Sequence, residues 1–556
     1  MRFKLGTSLI ACVLALMLPQ VAQAQEPNNK FGIHIVDEND LDEAAALVNG
    51  GGGQWGYLTF VIREDERDVN RWQQAFDKMR RLKLIPIVRL ATKQTNSSWE
   101  IPKKEEAVNW AGFLNSLNWP IKSRYVILFN EPNHASEWGG KLDPAEYAKT
   151  YRIYYETLKE FSPDFFVLPA ALDLAASSTT STMNPESYYL GMQEEDNFIF
   201  TLYDGLNSHS YPNPGFSGSA TDTGKKSING YIWETNYLAD FGLDPGIPVF
   251  ITETGWVNSA GNLEEKYKYA YENVWTDQRI IAVTPFLLNY LDSPFAEFSW
   301  KDPATKKFLP QYYSVQSITK VKGKPEQVTS FQPAGHSIAD YLISDSEYSF
   351  IIKLKNTGQS IWNYVDGFSV VAESTMKDKN IKIGKLENVE PGHTADVGIR
   401  LSTDEPRGIH SIKLFLYKDD KNLGEISSTN FTLVSPPSLD IFARFTLGDT
   451  FSTASLSLYE DGVLVTRYDN LAFADGHAVI PAVRNVVPNK NYEFKLSRPF
   501  LVAAIRGASL YVGRNQLSFG RLLPIDFSGD TKLDMEDLLA YFKNPLIAGM
   551  RIFSIK

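Results

Sequence analysis

Between residues 30 and 320 the chain alternates short apolar runs with longer stretches of helical period. The runs fall at 31–36, 57–62, 85–90, 125–129, 165–169, 205–208, 249–252 and 282–288. Most are continuous rather than alternating and many are rich in β-branched residues, the pattern of parallel strands buried on both faces. In the stretches between them, Val69, Trp72, Phe76 and Met79 share one helical face. Asp143-Pro144-Ala145-Glu146 reads as an N-cap, a proline at the first helical position and a capping glutamate. Tyr147, Tyr151, Tyr154 and Leu158 follow as its buried stripe, and another helix is predicted over 264–275. Eight strand signals separated by helices predict a (β/α)8 TIM barrel over residues 25–325.

Helical periodicity stops after about residue 325. Strand-like runs at 348–354, 367–371, 395–401, 411–417 and 431–434 predict a β-sandwich over 326–436. Ser435-Pro436-Pro437-Ser438 reads as a linker. A second β-rich module is predicted over 437–556, ending in a short helical tail. The fold class expected is thus multidomain, a barrel followed by β-modules.

At the other end, Arg2 and Lys4 precede an apolar run at 5–18, and Ala22-Gln23-Ala24 fits a small-x-small cleavage site. Residues 1–24 therefore read as a signal peptide, and the protein as secreted or extracellular, with retention at the cell surface as the variant of that expectation. The run at 5–18 is short for a membrane span, and no later stretch is longer, so no transmembrane segment is expected in the mature chain. The single cysteine, Cys12, lies inside the signal. The mature chain then has neither disulfides nor thiol chemistry.

Composition narrows the chemistry further. The 556 residues are 43% hydrophobic and 13% aromatic, with a net charge of −11. An acidic chain is a poor binder of a phosphate backbone, so no nucleic-acid partner is expected, whereas a neutral polysaccharide or oligosaccharide is compatible with it. None of the seven histidines pair at zinc-ligand spacing. The glycines at 50–53 lack the lysine-serine/threonine of a phosphate loop. No cofactor is expected for catalysis.

Barrel enzymes place their sites at the C-terminal ends of the strands. The fourth predicted strand ends Phe129-Asn130-Glu131-Pro132-Asn133 and the seventh ends Ile251-Thr252-Glu253-Thr254-Gly255-Trp256. Each brings a glutamate to that rim. Cleaving a glycosidic bond needs one protonated carboxyl for the leaving oxygen and one ionised carboxylate for the oxocarbenium-like centre. Arg63 and Arg89 end the second and third strands, where an arginine can orient a carboxylate and hold it ionised. Arg63, Arg89 and Asp173 read equally as ordinary salt-bridge partners. Asp173, His34, Glu137 and Trp138 are candidates for subsite contacts, His34 being read first as a satisfied rim or core residue.

With Asn130-Glu131-Pro132 at one strand end and Glu253 at the other, residues 30–320 resemble glycoside hydrolase clan A, the retaining "four-seven" barrel hydrolases. The resemblance implies Glu131 as acid/base, Glu253 as nucleophile and Asn130 as the contact to the sugar 2-hydroxyl. It also implies that Tyr211 of His209-Ser210-Tyr211 hydrogen-bonds the nucleophile, with His209 supporting it. Trp300 would be the aromatic floor under the cleaved sugar, its other reading being core packing. Substrates implied are β-linked glucans, mannans or xylans. The competing functional class is a carbohydrate-binding or cell-surface protein whose barrel has lost activity, against which the retained carboxylate pair argues.

Two features lie outside the barrel. Asn356-Thr357-Gly358-Gln359-Ser360-Ile361-Trp362 resembles a turn of secreted immunoglobulin-like modules. Residues 526–537 place Asp526, Ser528, Asp530, Asp534 and Asp537 at positions 1, 3, 5, 9 and 12 of a calcium loop, with the Lys532 carbonyl at position 7. The loop resembles one half of a bacterial dockerin but carries Thr531 where the turn glycine stands. As there is one such loop rather than two, structural calcium is expected and docking to a cohesin partner is not.

Overall fold

The computed structural model describes residues 27–95, 97–445, 451–499, 501–523 and 525–546. The signal expected at 1–24 lies outside the described residues. The chain forms two compact units, Met1–Val328 and Thr329–Lys556.

The first unit contains β1 (Gly32–His34), β2 (Gly56–Arg63), β3 (Leu84–Ala91), β4 (Arg124–Leu128), β5 (Phe165–Pro169), β6 (Leu206–His209), β7 (Val249–Glu253) and β8 (Ile280–Val283). Between and after them run α1 (Leu41–Val48), α2 (Val69–Arg81), α3 (Glu106–Ser116), α4 (Pro144–Phe161), α5 (Pro185–Glu195), α6 (Gly230–Ala239), α7 (Leu263–Tyr269) and α8 (Pro310–Ser317). Strands β1 to β5 pair in sequence order as one parallel sheet and β6 to β8 as another.

Two seams join these sheets into a barrel. At the first, Val283 N–H donates to the Lys30 carbonyl at 2.9 Å and His34 N–H to the Pro285 carbonyl at 3.0 Å, tying β8 to β1. Gly32 sits in this seam, where a Cβ would lie 2.9 Å from the Tyr57 carbonyl and 2.5 Å from Thr284. At the second, side chains replace most of the ladder. Asn207 Nδ2 donates to the Pro169 carbonyl at 3.0 Å, and Asp204 Oδ2 accepts from Val167 N–H at 2.7 Å. The eighth strand stops at Val283, short of the predicted 282–288. Pro285 has no N–H for a ladder, and the chain leaves for the barrel rim there.

Alternation then divides the core. Tyr57, Ile85, Ile87, Ile127, Leu168, Phe250 and Ala282 pack together as one apolar cluster, and their neighbours Leu58, Val88, Leu90, Leu128 and Ile251 join the larger cluster that includes the helices. Helix α4 shows how the outer layer is built. Asp143 caps it by accepting from Glu146 N–H at 2.9 Å, and Tyr147, Tyr151, Tyr154 and Leu158 are buried along it. Burying an apolar side chain the size of Leu158 contributes about 1.5–3 kcal/mol, against the entropy of ordering it. Helix α7 continues as a wider turn, Ala270–Val274, so the predicted helical stretch does reach Trp275.

The second unit is β-rich. Strands β9 (Phe331–His336), β11 (Glu347–Asn356), β13 (Ile381–Ile383) and β14 (Thr394–Ser402) form one four-stranded sheet; β10 (Tyr341–Ile343), β12 (Phe368–Ser374), β15 (Gly408–Lys418) and β16 (Lys421–Val434) form another. Residues of β11 and β14 alternate strictly between buried and exposed over most of their length, as strands covered on one face do. Seven more strands, β17 (Ser438–Arg444), β18 (Phe451–Glu460), β19 (Val463–Ala474), β20 (His477–Ile480), β21 (Lys490–Arg498), β22 (Leu501–Leu510) and β23 (Arg514–Arg521), make a third sheet. Helix α9 (Met535–Lys543) follows. No described helix is long and apolar enough to cross a membrane.

Candidate active site

The ends of β3, β4, β6 and β7 meet at one end of the barrel. On β3, Ile85 and Ile87 point into the barrel, and the same two-residue period brings Arg89 to the next layer. At β4 the period is broken by backbone. Phe129 has φ +75° and Glu131 φ +24°, both unusual for residues with a side chain. The Phe129 ring is anchored against Trp138 and Tyr154, with centroids 6.0 and 5.3 Å away, and the chain reverses over it. Strain of this kind costs on the order of 1–3 kcal/mol and persists where surrounding packing imposes it. Here it delivers Asn130 and Glu131 to the rim. On β7, Glu253 is the last residue. The turn beyond it uses Gly255 at φ +126°, where a Cβ would strike the Tyr267 hydroxyl.

Two carboxylates converge on one imidazole. His209 Nδ1 lies 2.7 Å from Glu131 Oε1 and 3.7 Å from Glu253 Oε2. Those two oxygens are therefore no farther apart than the sum of these distances. Glu253 is further held by Arg89 Nη1, which donates to Oε1 at 2.8 Å, and by the Tyr211 hydroxyl, which donates to Oε2 at 3.1 Å. Arg89 Nη1 also donates to Asn130 Oδ1, and Asn130 Nδ2 donates to Glu137 Oε2 at 3.3 Å.

The charges are set by this packing. Burial acts to raise the Glu253 carboxyl. His209, Arg89 and the Tyr211 hydroxyl together outweigh it and hold Glu253 below the usual range, hence ionised. Burial acts to lower His209, but the Glu253 charge and the bond to Glu131 raise it. His34 lies beneath Glu253, its Nε2 3.9 Å from Oε1, and burial takes it down to about 3, so it stays neutral. Burial, reinforced by the Glu253 and Glu131 charges, lifts Tyr211 well above its ordinary value, keeping the hydroxyl a donor. Behind β6, Glu234 of α6 is completely buried. It accepts from Ser208 Oγ at 2.6 Å and from the Tyr189 hydroxyl at 2.5 Å, and burial pushes it up to about 7.

Glu131, Glu253, Asn130, Arg89, His209, Tyr211 and Glu137 are thus brought together. Arg63 is not among them. Val61, not Arg63, is the β2 residue level with Arg89, so Arg63 lies two residues farther out. Its guanidinium is taken by Asp65 at 3.1 Å and Glu66 at 3.5 Å on the following turn. Trp300 is also a correction. It is 1% exposed, packed on Tyr267 with centroids 4.6 Å apart, and takes the core alternative rather than a place under a sugar. Trp138 is likewise buried, between Phe129 and Tyr147. Asp173 pairs with His134 Nε2 at 2.9 Å.

Two residues at this rim escaped the sequence reading. Phe286, inside the run read as strand eight, stands edge-on to His34 with centroids 5.1 Å apart. It is partly exposed beside Tyr211, Phe216 and Tyr290, where an aromatic surface is available to a ligand. His134, three residues after Glu131, is raised by its hydrogen bond to Asp173. The only signal for either was position, Phe286 near a strand end and His134 close behind Asn130-Glu131-Pro132.

In the second unit, carboxylate oxygens of Asp526, Asp530 and Asp537 lie within 4.8 Å of one another. Ser528 Oγ donates to Asp526 Oδ1 at 3.2 Å or Asp530 Oδ1 at 3.1 Å. Thr531 takes φ +69°, the conformation for which the turn glycine is normally needed. Of the predicted carboxylates, Asp534 is the one outside this group. Its side chain accepts from Glu536 N–H at 2.8 Å as the N-cap of α9, a role its place at the helix start favours.

No family model matches the chain, and no curated protein sequence matches it. Among solved structures, an endo-β-1,4-glucanase from Xanthomonas axonopodis pv. citri is similar over 52% of this chain and 97% of its own, at 12% identity and a TM-score of 0.36. A glucosidase from Croceicoccus marinus is similar over 82% and 93%, at 10% identity and 0.40. A β-mannanase from Thermomonospora fusca, in complex with mannohexaose, is similar over 52% and 89%, at 13% identity and 0.33. With identities and scores this low, the chemistry of the site rests on its own residues.

Proposed function

We propose that the protein is a secreted retaining glycoside hydrolase that cleaves β-glycosidic bonds in a glucan-, mannan- or xylan-type polysaccharide. The observation that carries this reading is the meeting of Glu131 and Glu253 on His209, with Glu253 held ionised by Arg89 and Tyr211. In the first step a Glu253 oxygen bonds to the anomeric carbon as the glycosidic C–O bond breaks. Its electron pair leaves on the aglycone oxygen, which takes the Glu131 proton. In the second step water gives a proton to Glu131 and attacks the same carbon, and Glu253 leaves as carboxylate. His209, touching both groups, offsets the negative charge Glu131 carries between the steps. Two displacements at one carbon preserve its configuration. NMR of the first products from a β-linked oligosaccharide is expected to show the β-anomer before mutarotation. An initial α-anomer would rule out double displacement.

We also propose that residues 526–537 hold a structural calcium ion. Asp526, Asp530, Asp537 and the Ser528 hydroxyl would supply hard oxygen ligands of the kind calcium takes, with Asp534 left to cap α9. An ion that binds only the folded loop adds stability by mass action. Calcium is therefore expected to raise the melting temperature of the second unit and a chelator to lower it. Melting unchanged by either would remove the ion from the account.

A further inference from the structure

Resting on the hydrolase reading, we propose that Glu137 is a positioning residue that fixes the amide of Asn130 and so makes turnover depend on the sugar hydroxyl next to the scissile carbon. An asparagine amide has a donating and an accepting end that differ little in shape. Its function at a reacting centre depends on which end faces the sugar. Here chemistry on both sides agrees. The Arg89 guanidinium can only donate, so it selects Asn130 Oδ1. The Glu137 carboxylate accepts, so it selects Nδ2 at 3.3 Å. The amide nitrogen carries two hydrogens; Glu137 takes one and the other remains for substrate.

Glu137 is well placed for this. It closes a short turn, Ala135–Glu137, and its own N–H donates to the His134 carbonyl at 3.0 Å. The next residue, Trp138, is anchored in the core. Burial raises the Glu137 carboxyl, with the Glu131 and Glu253 charges adding to this and Arg89 and Asn130 opposing it. Beside Arg89, Asn130 and Glu137 lies a niche of about 20 Å³, bounded by Trp99 and Pro102, with room for one water-sized group such as a hydroxyl. Without Glu137 the amide is held from the Arg89 side alone and its donating end loses its fixed direction. Arg89 keeps its bond to Glu253, but the Asn130 donor is no longer aimed at the sugar hydroxyl.

The test compares an aryl β-glycoside with its 2-deoxy counterpart for wild type, Glu137→Ala, Glu137→Met and Glu137→Gln, with Glu253→Gln as control. Deleting the acceptor is expected to lower kcat/KM on the parent glycoside about 10–100-fold, the range for a lost hydrogen bond to a charged group. On the 2-deoxy substrate the loss should be within about threefold, because the contact that Asn130 makes is already missing. Glu137→Gln keeps a carbonyl acceptor for Nδ2 and is expected to recover most of the parent activity. Glu137→Met, of similar size, stands in if Glu137→Ala does not fold. Wild-type turnover in the deletion variants, or equal losses on both substrates, while Glu253→Gln is inactive, would overturn the role of Glu137 alone. Wild-type turnover in Glu253→Gln would overturn the hydrolase reading and this proposal with it.

Discussion

Glu253→Gln is expected to lower kcat by about 10⁴-fold or more, equivalent to about 5 kcal/mol of barrier, while leaving the fold intact. The amide has nearly the shape of the carboxylate but no negative charge, and it is a poor nucleophile towards an anomeric carbon. The surroundings sharpen the loss. Arg89 and Tyr211 both donate to Glu253, and a glutamine can accept on only one of its two terminal atoms. Glu253→Ala leaves a gap in which azide can reach the anomeric carbon of an activated β-glycoside. Activity should return with azide, and the glycosyl azide formed should have the inverted, α-configuration. A β-azide, or no rescue in a folded variant with intact substrate binding, would count against Glu253 as nucleophile.

Glu131→Gln is expected to cost about 10²–10⁴-fold on a polysaccharide, the usual range for losing a general acid and base. The size of the loss should depend on the leaving group. A dinitrophenolate needs no proton, so bond cleavage from that substrate should be nearly spared. The deficit should move to the second step, where Glu131 takes a proton from water, and a pre-steady-state burst should appear. Azide needs no base and is expected to accelerate this variant too, but to give the retained, β-configured azide. Opposite product configurations from alanine variants at 253 and 131 would separate the two roles. Identical losses on natural and activated substrates would remove Glu131 from the proton transfer.

Part of this site was legible because its residues stand at or near the ends of apolar runs. Glu253 and His209 are the last residues of β7 and β6, Arg89 lies two residues inside the end of β3, and Glu131 lies three residues beyond the end of β4. The same reasoning misplaced Arg63, which also ends its strand. Strand position along a barrel axis is a property of register, and register is set by pairing with β3, which no local pattern in β2 reveals. Trp300 failed for a related reason. It follows β8 by 17 residues, and whether a tryptophan at the end of such a loop faces the cleft or the core depends on how the loop folds back. The Leu287 carbonyl accepts from Trp300 N–H at 3.1 Å, which draws it inward onto Tyr267.

The chain's own pattern of apolar and polar residues determined the alternation of strands and helices, the change to β-structure after about residue 325, and the presence of a glutamate at each of two strand ends. These follow from short-range physics, since periodicity, capping and strand length are written within a few residues. The tertiary structure alone decided how the two carboxylates are differentiated. Glu131 and Glu253 are 122 positions apart by residue number, and their surroundings come from four strands. Arg89, His209 and Tyr211 keep Glu253 ionised only because barrel closure brings them within hydrogen-bonding or ion-pair distance of it. Electrostatic interaction falls with distance and strengthens with burial, and neither quantity exists in the chain until it has folded.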